Sequence, residues 1–197
     1  AELELGVTGT DGQDESGHGG GPMPPRSMPF PMKQLNSTYM FDTLAEKLLV
    51  GGFNPVLEPH GRASRPYGNR PVCAGNNNCN PVCPIGAKYD GSMHIDEAER
   101  HGAKLMDNSP VYKIEAGDDG KITTVWYKKP DNSEHRLTAK YFVLAAYGIE
   151  SAKLLLISTS EKYPNGIANS SDQVGRNLMD HTGISMNMLT KEDMWPG

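Results

Sequence analysis

The chain has 197 residues, enough for one ordinary domain, and a formal net charge of −5. Lys and Arg, 19 in total, are scattered and form no basic stripe, which argues against a nucleic-acid-binding protein. Hydrophobic residues make up 37%, whereas Gly (22) and Pro (15) are frequent, so the composition indicates a loop-rich globular segment. The longest apolar stretch, residues 141–158, is interrupted by Glu150 and Lys153 and is therefore a poor membrane span.

Residues 1–35 are predicted to form an irregular arm. Three glycines follow one another at Gly19–Gly21, and five prolines come soon after, so no regular element is expected over 6–35. The chain starts without an initiator Met or the features of a secretion signal, and it ends at Met194-Trp-Pro-Gly197. We therefore expect an internal piece of a longer polypeptide.

Residues 36–103 are predicted to hold two helices on either side of a long loop. Apolar residues at helical spacing predict the first helix over about 37–50, with Asn36 or Ser37 as its N-cap and Gly51 at its end. The loop that follows has no periodicity and contains all three cysteines among Pro, Asn and Gly.

The region beyond this loop is predicted to contain a short helix and most of the β structure. Ser92 is a favourable N-cap for a helix that Gly102 ends. Asp118-Asp119-Gly120 and Pro130-Asp131-Asn132-Ser133 are turn signals between short β-rich runs, which predicts an antiparallel meander. The predicted strands are 104–106, 111–115, 122–127 and 134–138.

Residues 141–158 predict a strand followed by a helix. Tyr141 to Ala146 is a continuous apolar run, typical of a strand that is buried on both faces. Gly148 then opens a helix whose apolar side is formed by Ile149, Ala152, Leu155 and Leu156. This is half of a βαβ unit, and its partner strands are expected outside this sequence. The expected fold class is α+β: a loop-rich chain with a small antiparallel β-meander and one strand–helix unit of an incomplete Rossmann-like domain.

The three cysteines, Cys73, Cys79 and Cys83, have the spacing C-x5-C-x3-C. A disulfide with one leftover thiol is one explanation, and a zinc site that recruits His60 or His94 is another. Thiolates crowded in a Gly- and Pro-containing loop, with a proline directly after the last cysteine, favour an iron–sulfur cluster. Three cysteines without a fourth indicate a three-iron cluster or a fourth ligand from elsewhere.

Three segments between residues 70 and 181 carry a family resemblance. They are the cysteine loop with Cys83-Pro-Ile-Gly-Ala-Lys88, the stretch Tyr141-Phe-Val-Leu-Ala-Ala-Tyr-Gly-Ile-Glu-Ser-Ala-Lys-Leu-Leu-Leu-Ile-Ser158, and Asn169-Ser-Ser-Asp-Gln-Val-Gly-Arg-Asn-Leu-Met-Asp-His181. Together they resemble the middle of a glucose–methanol–choline (GMC) oxidoreductase. Within that family they are most similar to the large flavoprotein subunits of the bacterial gluconate 2-dehydrogenase, fructose dehydrogenase, sorbitol dehydrogenase and FAD-dependent glucose dehydrogenase type.

The resemblance implies two cofactors, FAD and a 3Fe-4S cluster close to it. It implies that the three cysteines ligate the cluster and that the backbone of Val111 faces the adenine side of FAD. Ala145, Ala146 and Tyr147 would form the small-residue turn near the flavin. Residues 104–180 would then be part of the FAD-binding domain, and 181–197 would begin the substrate domain.

The resemblance also implies that the catalytic residues lie outside this sequence. Gly17-His-Gly19-Gly-Gly21 follows no predicted strand and opens no predicted helix, so it does not match the phosphate-binding G-x-G-x-x-G turn of the family. His181 lies in the wrong motif for the catalytic base, and His94 is expected to be a packing or surface residue. The chain by itself is therefore expected to be inactive.

In the whole protein, the resemblance implies oxidation of a sugar, sugar-acid or polyol hydroxyl, with electrons passing through the cluster to a haem or quinone. It further implies a cytochrome c subunit and a small chaperone-like subunit as partners, at the periplasmic face of the bacterial inner membrane. A stand-alone iron–sulfur electron-transfer module and a structural zinc-loop protein are the competing classes. The orphan strand and helix argue against the first, since they would expose apolar surface, through which the chain is expected to self-associate.

Overall fold

The computed structural model describes residues 1–10, 26–185, 187, 189–191 and 193. Part of the predicted irregular arm, including Gly19–Gly21, lies outside these described residues. Mixed helices and strands confirm the predicted α+β class. None of the helices in the described ranges is long and apolar enough to cross a membrane. In chain order the elements are α1 (Glu2–Leu5), β1 (Thr8–Gly9), β2 (Met32–Lys33), α2 (Tyr39–Val50), α3 (Ser92–Arg100), β3 (Val111–Ala116), β4 (Ile122–Lys128), β5 (Glu134–Leu137) and α4 (Tyr147–Ile157).

The chain divides into two compact units, with the boundary between Ala103 and Lys104. The described residues from Asn187 onward group with the first unit. Each unit has its own small set of buried side chains.

The first unit contains a short parallel strand pair that the sequence did not predict. Thr8 of β1 aligns with Met32 of β2, and both residues are buried. Thr8 also exchanges backbone hydrogen bonds with His60, N–H to O at 2.7 Å and, in return, 3.0 Å. The prediction that 6–35 holds no regular element is therefore wrong for these positions, because partners distant in sequence pair with a backbone that has no local signal.

The two predicted helices of the first unit form close to where the sequence places them, whereas the short helix α1, in the arm predicted to be irregular, was not predicted. Helix α2 begins at Tyr39 with Thr38 as its N-cap, whose Oγ1 accepts from the backbone N–H of Phe41 at 3.2 Å. The predicted caps, Asn36 and Ser37, are thus one or two residues too early. Helix α3 begins at Ser92, so the predicted N-cap is one residue too late: Gly91 is the N-cap, and the carboxylate of Asp90 accepts from the N–H of Ser92 at 3.0 Å.

The second unit is built on the predicted meander. Its three strands pair antiparallel in the order β3-β4-β5. Asn132 in the second turn has a φ of 63°, a left-handed conformation that asparagine tolerates better than most residues. The expected strand at 104–106 does not form, so the sheet starts at Val111.

Helix α4 packs on strand β3 and supplies the core of the second unit. Leu154 is buried together with Ile114 of β3 and Ile167 of the following loop. Ile149 and Leu156, which were predicted on the apolar side, are 54% and 37% exposed. The prediction is therefore right in part: Ala152 and Leu155 are half-buried and Leu155 packs against this core, which a three-stranded sheet covers from one side.

The predicted strand over 141–146 is absent. These residues form no strand, and Tyr141 and Val143 are 78% and 90% exposed. A strand is stable only where its N–H and C=O groups pair with a neighbour, and among the described residues no neighbouring strand reaches this segment. The segment is apolar, as the sequence shows, but the part of the chain that the structure describes offers it no partner strand.

Candidate functional site

The cysteine loop is closed at its base by two short chain segments. Ala63 donates its N–H to Ala87 O at 2.9 Å, and Tyr89 donates to Gly61 O at 2.6 Å. Cys73 then donates to Ala63 O at 2.8 Å, which anchors the first cysteine to the same base. Ala63 and Ala87 are completely buried. The loop therefore has a fixed base although it contains no regular secondary structure.

Arg70 ties this base to the start of the chain. Its guanidinium is buried and donates to Gly61 O at 2.9 Å, to Leu5 O at 2.7 Å and to Gly6 O at 3.1 Å. A buried cation needs such acceptors, because desolvation without them is costly. Sequence reasoning missed Arg70, since two of its acceptors, Leu5 O and Gly6 O, lie 65 and 64 residues away in the chain.

The three thiols are free and half-buried. Backbone N–H groups, first that of Lys88 and then those of Ile85, Ala87 and Gly86, lower the pKa of the Cys83 thiol, and burial partly opposes them. Gly86 makes this turn possible with a φ of 69°, and its N–H also donates to Cys83 O at 3.2 Å. The turn after Cys83 thus favours the thiolate, the form that binds metal.

Cys79 is contacted by two cations. Arg62 Nη1 donates to Cys79 Sγ at 3.8 Å, and Lys88 Nζ donates to Cys79 O at 3.1 Å. Lys88 also reaches Asn80 Oδ1 at 3.3 Å. Arg62 and Lys88 come from opposite sides of the loop base, where their backbones form an antiparallel bridge. Sequence reasoning singled out neither residue. The sequence shows only that Arg62 precedes the cysteines and that Lys88 follows them.

The loop supplies thiols, the ligand type of iron–sulfur clusters, and the backbone N–H groups after Cys83 favour the thiolate form of that one cysteine. Within the described ranges, no three His, Cys, Asp or Glu side chains stand close enough together to hold a metal ion. Metal ligation by Cys73, Cys79 and Cys83 therefore stays a prediction.

The histidines considered as ligands or bases have other surroundings. The backbone of His60 pairs with Thr8, and burial, followed by the charge of Arg62, lowers the pKa of its side chain. His94 lies on the exposed helix α3, with Nδ1 at 2.9 Å from the hydroxyl of Tyr89. His181 is exposed, and its backbone N–H donates to Asp180 Oδ1 at 2.7 Å.

The residues expected near FAD lie in the second unit. Val111 opens strand β3 beside an irregularity in its pairing with β4 and is 42% exposed. Ala145 and Ala146 are exposed and lead into helix α4, whose N-cap, Ala146, provides no side-chain hydrogen bond. Tyr147 has a φ of 47°, a strained conformation for a residue with a bulky side chain.

This turn fits a cofactor-binding segment in two respects. The first-turn N–H groups of α4 lack a side-chain cap and lie beside small side chains, so an anionic group can approach the backbone closely. Strained residues of this kind are concentrated at functional sites. Binding of FAD by Val111, Ala145, Ala146 and Tyr147 stays a prediction.

The family model for GMC oxidoreductases matches residues 61–183 of this chain. The match begins at the loop base, continues through the cysteine loop and the meander, and includes helix α4.

Individual relatives agree with this match. The chain is 45% identical to the fructose dehydrogenase large subunit of Gluconobacter japonicus over all 197 residues, which is 35% of that protein. It is 31% identical to 6'''-hydroxyparomomycin C oxidase of Streptomyces lividus, with 64% of the chain and 24% of the relative covered. With 2-methyl-1,2-propanediol dehydrogenase of Mycolicibacterium austroafricanum it shares 37% identity over 45% of the chain and 16% of the relative. The chain thus spans about a third or less of the length of these relatives.

Proposed function

Because the chain belongs to the GMC oxidoreductase family, we propose that the intact protein is an FAD-dependent dehydrogenase that oxidises a hydroxyl group of a sugar, sugar acid or polyol. The observation that carries this proposal is the 45% identity with a fructose dehydrogenase large subunit along the whole chain. The matched region covers the whole chain and thus both the cysteine loop and the turn before α4.

We assign residues 104–180 to the FAD-binding domain and 181–197 to the start of the substrate domain. FAD, when bound, accepts the hydride that leaves the oxidised carbon. The chain would contribute the backbone of Val111 at the adenine side and the turn formed by Ala145, Ala146 and Tyr147 near the flavin. The small side chains of the two alanines would let backbone and cofactor come into contact, and the uncapped N–H groups of α4 would stabilise negative charge there.

We further assign Cys73, Cys79 and Cys83 as the ligands of a 3Fe-4S cluster. Such a cluster, when bound, takes up electrons singly, so that the pair removed from the substrate can leave one at a time. The residues of this chain would hold it through three thiolates, one of them stabilised by the backbone N–H groups that follow Cys83. The buried loop base would keep the spacing of the thiolates fixed.

Electrons that leave the proposed cluster one at a time need an acceptor, which partner proteins would provide. We propose a haem or quinone acceptor, with a cytochrome c subunit and a small chaperone-like subunit in the complex, at the periplasmic face of the inner membrane. The relative named a large subunit supports an assembly of more than one subunit. Tyr141 and Val143 leave an apolar surface exposed in the isolated chain, and we expect self-association through it.

An oxidase is the second candidate, because one matched relative is named 6'''-hydroxyparomomycin C oxidase. Its identity of 31% covers less of the chain than that of the dehydrogenase subunit, so we favour the dehydrogenase. The stand-alone iron–sulfur module and the zinc-loop protein are not favoured, since the family match extends well beyond the cysteine loop.

The test is purification of the intact protein without air, followed by measurement of flavin absorbance, iron, acid-labile sulfide and zinc. Fructose, gluconate, 2-ketogluconate, sorbitol and glucose should each be supplied with a one-electron acceptor dye or with oxygen. We expect flavin and iron with sulfide, and dye reduction that exceeds oxygen consumption for one of these substrates. A protein without flavin would contradict the proposal, and rapid oxygen consumption without iron would identify the oxidase instead.

A further inference from the structure

We draw no further inference here: the strongest candidate, the cavity of about 300 Å³ that Tyr89 and helix α3 border in the first unit, carries nothing, because Arg70, His94 and Glu97 in its lining already bond to other groups of the chain and nothing in the part that the structure describes shows which ligand it would hold.

Discussion

Ser158 joins helix α4 to strand β3 through one buried hydroxyl. Its Oγ accepts from the backbone N–H of Ile114 at 2.9 Å and donates to Leu154 O at 2.6 Å. Both partners belong to the core of the second unit, so this side chain fixes the helix on the sheet.

We predict that Ser158→Ala lowers the free energy of unfolding by about 1–3 kcal/mol, because the N–H of Ile114 loses its side-chain acceptor in a buried site. The measurement is chemical denaturation of the intact protein, together with hydrogen exchange of the Ile114 amide, which should become faster. Ser170→Ala, at an exposed serine, serves as the control. Equal stability of the two variants would show that water replaces the hydroxyl.

His60 makes the stability of the first unit depend on pH. Burial, the largest cause, and the charge of Arg62 hold the pKa of its imidazole below the ordinary value of 6.5, and Glu58 acts in the opposite direction. As the pH falls below 6.5, the unfolded chain takes up a proton that the folded chain does not bind, so the free energy of unfolding decreases. Above 6.5 the imidazole is neutral in both states, and this contribution to stability is complete.

We therefore predict that the first unit is less stable at pH 5.5 than at pH 7.5 and that His60→Gln reduces this difference. Glutamine is the appropriate replacement because it is polar but does not titrate. Hydrogen exchange of the Thr8 amide, which donates to His60 O, follows opening of this unit at both pH values. An unchanged pH dependence in the variant would mean that other groups cause it.

At the scale of the elements, the loop base is a buried junction of two chain segments. Ala63 and Ala87 are completely buried where the two segments meet, and Ala63 also accepts from the N–H of Cys73. A larger side chain at Ala63 would have to displace its neighbours, because protein interiors are closely packed.

We predict that Ala63→Leu destabilises the intact protein by about 1–3 kcal/mol through overpacking and lowers its iron content. Ala74→Leu is the matched control, since Ala74 follows Cys73 directly but is exposed. Denaturation curves and iron analysis of both variants provide the measurement. Equal iron in the two proteins would show that the loop holds its ligands independently of its base.

The elements also indicate what the sequence determines locally. Strands β3 to β5 were predicted because their signals are local: β-rich runs separated by residues that favour turns. The segment 141–146 was predicted as a strand from composition alone, but a strand needs a neighbour, and pairing is decided by residues far away in sequence. The strand pair of Thr8 and Met32 was missed for the same reason.

The candidate site shows the same contrast between local sequence signals and contacts that form only on folding. The cysteines were identified from their spacing, which needs no knowledge of the fold. Arg62, Lys88 and Arg70 were not, because their contacts join segments that only folding brings together. A sequence pattern is enough to predict the cysteines as ligands, whereas the groups that contact them have to be found in the structure.

For the whole molecule, the two units carry separate parts of the proposed chemistry. The predicted cluster ligands lie in the unit that contains Ala1–Ala103, and the predicted FAD contacts lie in the unit that begins at Lys104. Each part should therefore respond separately to mutation. A change at a cysteine should leave flavin binding intact if the second unit and the rest of the polypeptide bind FAD on their own.

We predict that Cys79→Ser in the intact protein loses iron but keeps its flavin. Substrate added without air should still bleach the flavin absorbance, because that step uses the FAD-binding part. Turnover with a one-electron acceptor should fall by roughly tenfold or more, since even residues that only hydrogen-bond a metal ligand commonly contribute about 10- to 100-fold. Ser92→Ala, at an exposed serine of the same unit, is the control. Full turnover in an iron-free Cys79→Ser protein would mean that electrons leave the flavin directly, and the thiols would then have no part in electron transfer.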